Sequence, residues 1–286
     1  MTNNAVLDCA GKPLDLTQPQ VMGILNITPD SFSDGGHFMN IEMAITHAQR
    51  MVAEGAAIID IGGESTRPGA KAVAVSEELT RVIPVIQALA TKLNIPISID
   101  TSKPEVMEAA VAAGAGFIND TMALQQPGAL EVATKTKVPI SLMHMQGEPR
   151  TMQVNPNYQD IVAEVTAFFE ARIEACEAVG IPHNRILIDP GFGFGKTLEH
   201  NITLFQNLDK LQRLEQPILI GISRKSMFGS LLNRPITERL PGSIAATVLA
   251  LQAGVKLLRV HDVAATVDAL RVVKKLSRLE EGIGSA

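Results

Sequence analysis

Eight polar side chains in this sequence, Asn26, Asp60, Asp100, Asn119, His144, Asp189, Ser223 and His261, each follow directly on a short apolar run. The carboxylates and amides among them can read the donor edge of a planar heterocycle, because one ionised carboxylate accepts two adjacent N–H groups together. Asn26 offers a neutral oxygen of the kind Mg2+ accepts beside waters and substrate phosphates. Cationic groups accompany them. Lys225 follows Ser223 by two residues, and Arg259 precedes His261 by two, just ahead of a helix opening at Val263 whose N–H groups suit an anion. Arg224 reads as a supporting or interface charge. In Asp60-Ile61-Gly62-Gly63-Glu64-Ser65-Thr66-Arg67-Pro68-Gly69, glycines allow a close backbone approach, Thr66 and Arg67 supply donors, and Glu64 reads as a solvated loop charge.

Two stretches resist a reactive reading. Met143-His144-Met145 is a soft pair that packs, with His144 as fit for structure as for chemistry. Asp189-Pro190-Gly191-Phe192-Gly193-Phe194-Gly195-Lys196-Thr197 imitates a phosphate loop, but only Phe192, Gly193 and Phe194 separate Gly191 from the Gly-Lys pair, where a Walker loop needs four residues. Nucleotide binding is not expected there.

The elements that must carry these groups follow from the apolar runs. These are Val21 to Leu25, Ala57 to Ile59, Ile97 to Ile99, Gly116 to Ile118, Ile140 to Met143, Ile186 to Ile188, Ile218 to Ile222 and Leu257 to Val260, each a strand ending at one of the polar residues above. Helical patterns span Ile41 to Glu54, Ser76 to Leu93, Pro104 to Ala113, Gly128 to Thr136, Tyr158 to Val179, Thr197 to Leu211, Ser243 to Ala253 and Val263 to Leu279. Ser76 before two glutamates marks a helix start. Pro104 lies just inside its helix, and Gly55, Gly114, Gly180 and Gly254 lie just past theirs. Strand and helix in alternation mean parallel strands with right-handed crossovers. The expected fold is an α/β TIM (β/α)8 barrel in a single domain, 21–286, with residues 1–20 as a short cap or hairpin over its bottom. An open sheet binding nucleotide at its strand-order switch is the alternative.

Composition sets limits. With 286 residues, 46% of them apolar, the chain can bury a large core, and its net charge of −5 with scattered Lys and Arg excludes a basic nucleic-acid footprint. Cys9 and Cys176 have no Cys-x-x-Cys spacing and read as free thiols. The N-terminus lacks the charged start and apolar stretch of a signal peptide, and no apolar run approaches a membrane span of roughly 18 residues, so a cytoplasmic protein with no membrane partner is expected.

Gly23 to Gly36, Asp60 to Gly69, Asp100 to Pro104, Asp189 to Lys196, Ser223 to Ser226 and Arg259 to Val263 occur in the order and at the spacing of the pterin-binding barrels, and together they resemble the dihydropteroate synthase family. The likeness runs from about Val21 to Lys275; Thr121 and Met122 depart from its usual apolar pattern. The resemblance implies a Mg2+-assisted homodimeric enzyme that joins 6-hydroxymethyl-7,8-dihydropterin pyrophosphate to para-aminobenzoate in folate biosynthesis and is a target of sulfonamides. It implies catalytic Asp100, Lys225, Arg259 and His261. A pterin pocket of Asp100, Asn119, Met143, Asp189 and Lys225 follows, with a pyrophosphate site of Asn26, Asp60, Thr66, Arg259 and His261. Asn26 is the implied metal ligand. The aminobenzoate site is Thr66, Arg67, Pro68, Phe194 and Ser223. Loop closure falls to Phe32 and Asp34, and the last three helices form the dimer face. A methyltetrahydrofolate-type methyltransferase would not need Arg259 and His261, and a non-catalytic pterin-binding homologue would bind without releasing pyrophosphate.

Overall fold

The computed structural model describes residues 6–28, 37–65, 69–148 and 151–276. The chain opens on two short strands, β1 (Val6–Cys9) and β2 (Lys12–Asp15), paired antiparallel. Ala10 and Gly11 turn between them at φ 55° and 84°, the left-handed pair that matches the twist of a tight hairpin. Eight parallel strands follow: β3 (Gln20–Asn26), β4 (Ile58–Gly62), β5 (Ile97–Asp100), β6 (Phe117–Asp120), β7 (Ile140–Met143), β8 (Ile186–Asp189), β9 (Leu219–Ile220) and β10 (Leu257–Val260). They neighbour one another in the order β8-β7-β6-β5-β4-β3-β10-β9. A bridge between Ile188 and Ile218 joins the two ends, with Ile188 N–H donating to the carbonyl of Pro217 at 3.1 Å. The sheet is therefore a nearly closed TIM-like barrel, not an open one. Buried on both faces, its strands read as continuous apolar runs.

Around it lie α1 (His37–Ala53), α2 (Val75–Ala90), α3 (Pro104–Ala112), α4 (Ala129–Thr136), α5 (Ile161–Ala178), α6 (Leu198–Gln206), α7 (Leu208–Leu211), α8 (Ser226–Leu232), α9 (Leu240–Gln252) and α10 (Val263–Leu276). Pro104 opens α3, and Gly55, Gly114, Gly180 and Gly254 all have positive φ past their helices.

Several boundaries differ from the sequence reading. β4 continues past Asp60 to Gly62, because Ile61 and Gly62 keep their pairing with Leu25 and Asn26. β6 extends through Asn119 to Asp120. Ser76 is not the cap of α2: Ala74 holds that position without a side-chain bond, and Glu77 and Glu78 complement the first turn instead. Thr197 does cap α6, but the long helix expected from it breaks at Asn207, whose amide donates back to the carbonyl of Thr203 at 2.7 Å. The seven-residue α8 was not anticipated.

The hairpin shuts the bottom of the barrel. Leu7, Cys9, Leu14 and Leu16 pack with Met22, Ile58, Phe117, Leu187, Leu219 and Leu257 in one buried cluster. The approach is close enough that a Cβ on Gly116 would lie 2.3 Å from the carbonyl oxygen of Cys9. Lys12 pins the hairpin sideways by donating to the carbonyl of Leu93 at 2.7 Å, near the end of α2. With that end sealed by apolar groups, the polar side chains of the barrel collect at the C-terminal strand ends, where this architecture carries its chemistry.

Candidate active site at the C-terminal mouth of the barrel

Sheet register sets four positions side by side: Asn26 opposite Gly62, Gly62 opposite Asp100, and Asp100 opposite Asn119. Gly62 leaves room for about one methyl group at this level. A Cβ there would stand 3.5 Å from Asp100 Oδ2 and 3.8 Å from Asn26 Oδ1, so two oxygens border one gap. Into the same level from β10 comes Arg259, whose Nη2 donates to Asp100 Oδ2 at 2.6 Å and whose Nε donates to Asp60 Oδ2 at 2.5 Å.

Asp60 is fully buried and all its described hydrogen bonds come from protein groups: Arg259, Ser98 Oγ at 2.5 Å and Asn119 Nδ2 at 3.2 Å. Set two residues inside its strand, it stands behind Arg259 and aims it. Asp100 differs. Its Oδ1 is buried with no hydrogen-bond partner among the described residues, and burial raises its pKa to about 7 although Arg259 pulls the other way. Burial also works against the charge of Arg259, but Asp60 and Asp100 more than offset it and hold the guanidinium protonated.

The loop after β8 supplies the opposite wall. Gly191 N–H donates to Asp189 Oδ1 at 2.8 Å, and burial lifts the Asp189 carboxyl to about 6 against that bond and the nearby Lys225. Lys225 reaches in from the start of α8 with its Nζ 4.1 Å above the centroid of the Phe194 ring, a cation held on an aromatic face. Burial lowers its pKa to about 8 and Asp189 opposes the shift. Phe194 packs in a small buried group with Met143 and Met152.

On the remaining side Ser223 Oγ accepts from His261 N–H at 3.2 Å and lies 3.2 Å from His261 Nδ1. His261 stands at the exposed rim; partial desolvation, then Arg259 and Arg224, hold its pKa below the ordinary value. Arg224 pairs with both carboxylate oxygens of Asp262, which ties the loop after β9 to the start of α10. That is the supporting role its position implied.

The family described as pterin binding enzyme matches residues 22–261. The chain is 53% identical over 264 residues to the dihydropteroate synthase of Escherichia coli (strain K12), covering 92% of this chain and 94% of that one. This chain belongs to the dihydropteroate synthases. Among solved structures it is similar to the Xanthomonas albilineans dihydropteroate synthase with 4-aminobenzoic acid, at a TM-score of 0.91 and 55% identity, covering 95% of this chain and 98% of that one. The same synthase in complex with 7,8-dihydropteroate superposes at a TM-score of 0.86 and 52% identity, with coverage of 95% and 98%.

For a dihydropteroate synthase the two side-chain oxygens near Gly62 have meaning. Among the described residues no group of three or more His, Cys, Asp or Glu is placed to hold a metal ion. Asn26 Oδ1 offers a neutral oxygen there, which suits Mg2+ completed by waters and phosphate oxygens. Phe32, Asp34, Thr66, Arg67 and Pro68 lie outside the described residues.

In this dihydropteroate synthase site Ser98 was not singled out by the sequence reading, and Glu64 was given a different role. Ser98, alternating with isoleucines in β5, fixes Asp60; its signal is a polar residue on the inward face of an otherwise apolar strand. Glu64 is not a free surface charge: its Oε2 accepts from Lys103 Nζ at 2.5 Å and its Oε1 from Val73 N–H at 3.1 Å, while Lys103 also meets buried Glu78. His144 is buried, with its ring edge-on to Phe168 at 4.8 Å, which is the packing role.

Proposed function

We propose that this chain condenses 6-hydroxymethyl-7,8-dihydropterin pyrophosphate with para-aminobenzoate, releasing pyrophosphate and giving 7,8-dihydropteroate. The observation that carries the reading is Asp100 Oδ1, a buried acceptor without a donor among the described residues, held beside Arg259 at the level of Asn26 and Asn119. A pterin edge supplies the missing N–H. Asp100, Asn119, Asp189 and Lys225 read the pterin, with Met143 against its ring. Arg259, aimed by Asp60, takes the leaving pyrophosphate with His261, Thr66 and Asn26. Mg2+ held through Asn26, when bound, supplies charge neutralisation for that anion.

The bond that breaks joins the pterin methylene carbon to the pyrophosphate oxygen; the bond that forms joins that carbon to the arylamine nitrogen, which then loses one proton to solvent. The dihydropterin ring is electron-rich, so the anion can leave first and no covalent nucleophile is required. Asp100 offsets positive charge on the ring while the guanidinium of Arg259 holds the departing anion, a preorganised arrangement that stabilises charge as it develops. Ser223 and Phe194, with Thr66, Arg67 and Pro68, place the aminobenzoate for attack. In this reading Phe32 and Asp34 serve loop closure.

The chain is read as one unit, a barrel over 21–286 capped by 1–20, acting in the cytoplasm. No described helix is long and apolar enough to cross a membrane. It is also read as a homodimer, because Leu231 and Leu232 on α8, Ile236 after it and Leu249 on α9 are about half exposed. Sedimentation as a monomer at working concentration would remove the dimer. The function is tested by supplying both substrates with Mg2+: dihydropteroate and pyrophosphate should appear in equal amounts, and pterin binding without either product would leave only a binding protein.

A further inference from the structure

Lys196 is the one lysine among the described residues that is fully buried, and its amine lies in a cage of acceptors. Nζ is 2.8 Å from His144 Nδ1, 3.0 Å from the carbonyl of Gly191 and 3.0 Å from the carbonyl of Phe194, with the carbonyl of His144 at 3.3 Å. As an ammonium it has three donors, and four acceptors stand at hydrogen-bond distance for them. Around this amine the loop after β8 presses on the segment after β7. A Cβ on Gly191 would fall 1.9 Å from His144 O, and one on Gly195 would fall 2.4 Å from Gln146 O. So little clearance means the path of the loop is set by these contacts and by the amine that gathers its carbonyls.

What that path positions is Phe194. Its carbonyl is held by Lys196, and its ring supports the ammonium of Lys225. We propose that Lys196 is a positioning residue for the condensation: by holding the carbonyls of Gly191 and Phe194 it fixes the ring of Phe194, against which the arylamine substrate and Lys225 are both placed. This rests on the assignment of Phe194 to the aminobenzoate site. Lys196 touches neither substrate and acts through the backbone. The motif that imitates a phosphate loop thereby has its lysine turned inward onto carbonyls, with no donor left for a phosphate.

The test compares Lys196→Met, Phe194→Ala and the double variant. Lys196→Met removes the donors at similar length and should raise KM for para-aminobenzoate by roughly tenfold or more, since a misplacement of about 1 Å is enough to do so. In the Phe194→Ala background the same change should add less than about twofold, because the ring it acts through is gone. Hydrogen exchange, measured without substrates, should rise by about tenfold or more for the amides of residues 193–195 while β3 to β6 stay protected. Equal effects of Lys196→Met in both backgrounds, or unchanged exchange at those amides, would overturn the proposal. If Lys196→Met does not fold, Lys196→Gln keeps part of the donor set and should show the same pattern at smaller size. Failure of the wild-type chain to form dihydropteroate while exchange behaves as expected would count against the function and leave the loop assignment standing.

Discussion

Arg259 Nε donates to Asp60 Oδ2 at 2.5 Å, joining the last strand of the barrel to the second. Asp60 is fully buried, so replacing it strands a guanidinium whose only other described carboxylate partner is Asp100. Breaking such a pair on one side typically destabilises by about 3 kcal/mol or more. Asp60→Ala should show that loss in urea unfolding, with a fall in kcat larger than any rise in KM for the aminobenzoate. Asp60→Asn, which can still accept from Ser98 or Arg259, should lose less. Equal stability of Asp60→Ala and the wild type would mean that Arg259 does not depend on this carboxylate.

Asp100 carries the acid limb of the activity. Burial raises its carboxyl to about 7 and that of Asp189 to about 6, and each must be ionised to accept pterin N–H groups. The kcat/KM for the pterin substrate should therefore fall as pH drops below about 7, and Asp100→Asn should flatten the upper part of that limb while lowering the plateau by roughly 100-fold or more. A limb centred near 4 in the free enzyme would contradict the assignment.

Stability should also rise with pH above neutrality. Burial lowers the Lys196 amine to about 7, so between that value and the ordinary lysine range the folded chain has released a proton that the unfolded chain keeps. Unfolding then takes up a proton, and stability rises with pH in that window. The lowered pKa of Lys225 adds in the same direction. Tm should climb from pH about 7 to about 8.5, and Lys196→Met should remove part of the climb. A flat Tm in the wild type over that range would show both amines charged in the fold.

Gly191 and Gly11 separate strain from crowding. Both have positive φ, but a Cβ at Gly11 meets nothing within 4 Å whereas one at Gly191 collides with the carbonyl oxygen of His144. Gly11→Ala should lower stability by about 1 kcal/mol and spare activity. Gly191→Ala must shift the loop that shapes Asp189 and Phe194, and kcat/KM should collapse. Equal activity in the two variants would sink this reading of the loop.

Much of this was legible in the sequence for a physical reason. Strands buried on both faces must be apolar until they reach the mouth, so Asp100 and Asp189 announce the strand ends by breaking the run, and Ser223 and His261 mark the segments just past theirs. Asp60 escaped that logic, since a buried carboxylate satisfied by Ser98, Asn119 and Arg259 can sit inside a strand as easily as at its end. Lys196 escaped because all but one of its partners are backbone carbonyls, which carry no residue-type signal, and the other, the His144 ring, lies 52 positions away. Glu64 and Lys103 lie 39 positions apart, and only the barrel brings them together. The break at Asn207 and the short α8 depend on local side-chain bonds and on neighbours rather than on apolar periodicity.

The most direct test of the account is pyrophosphate release from the dihydropterin pyrophosphate with Mg2+, followed with and without para-aminobenzoate, in the wild type, His261→Ala and Lys225→Ala. The account predicts release that depends on the aminobenzoate, matches dihydropteroate formed, and collapses in both variants. Release that ignores the aminobenzoate, or persists undiminished in both variants, would contradict it.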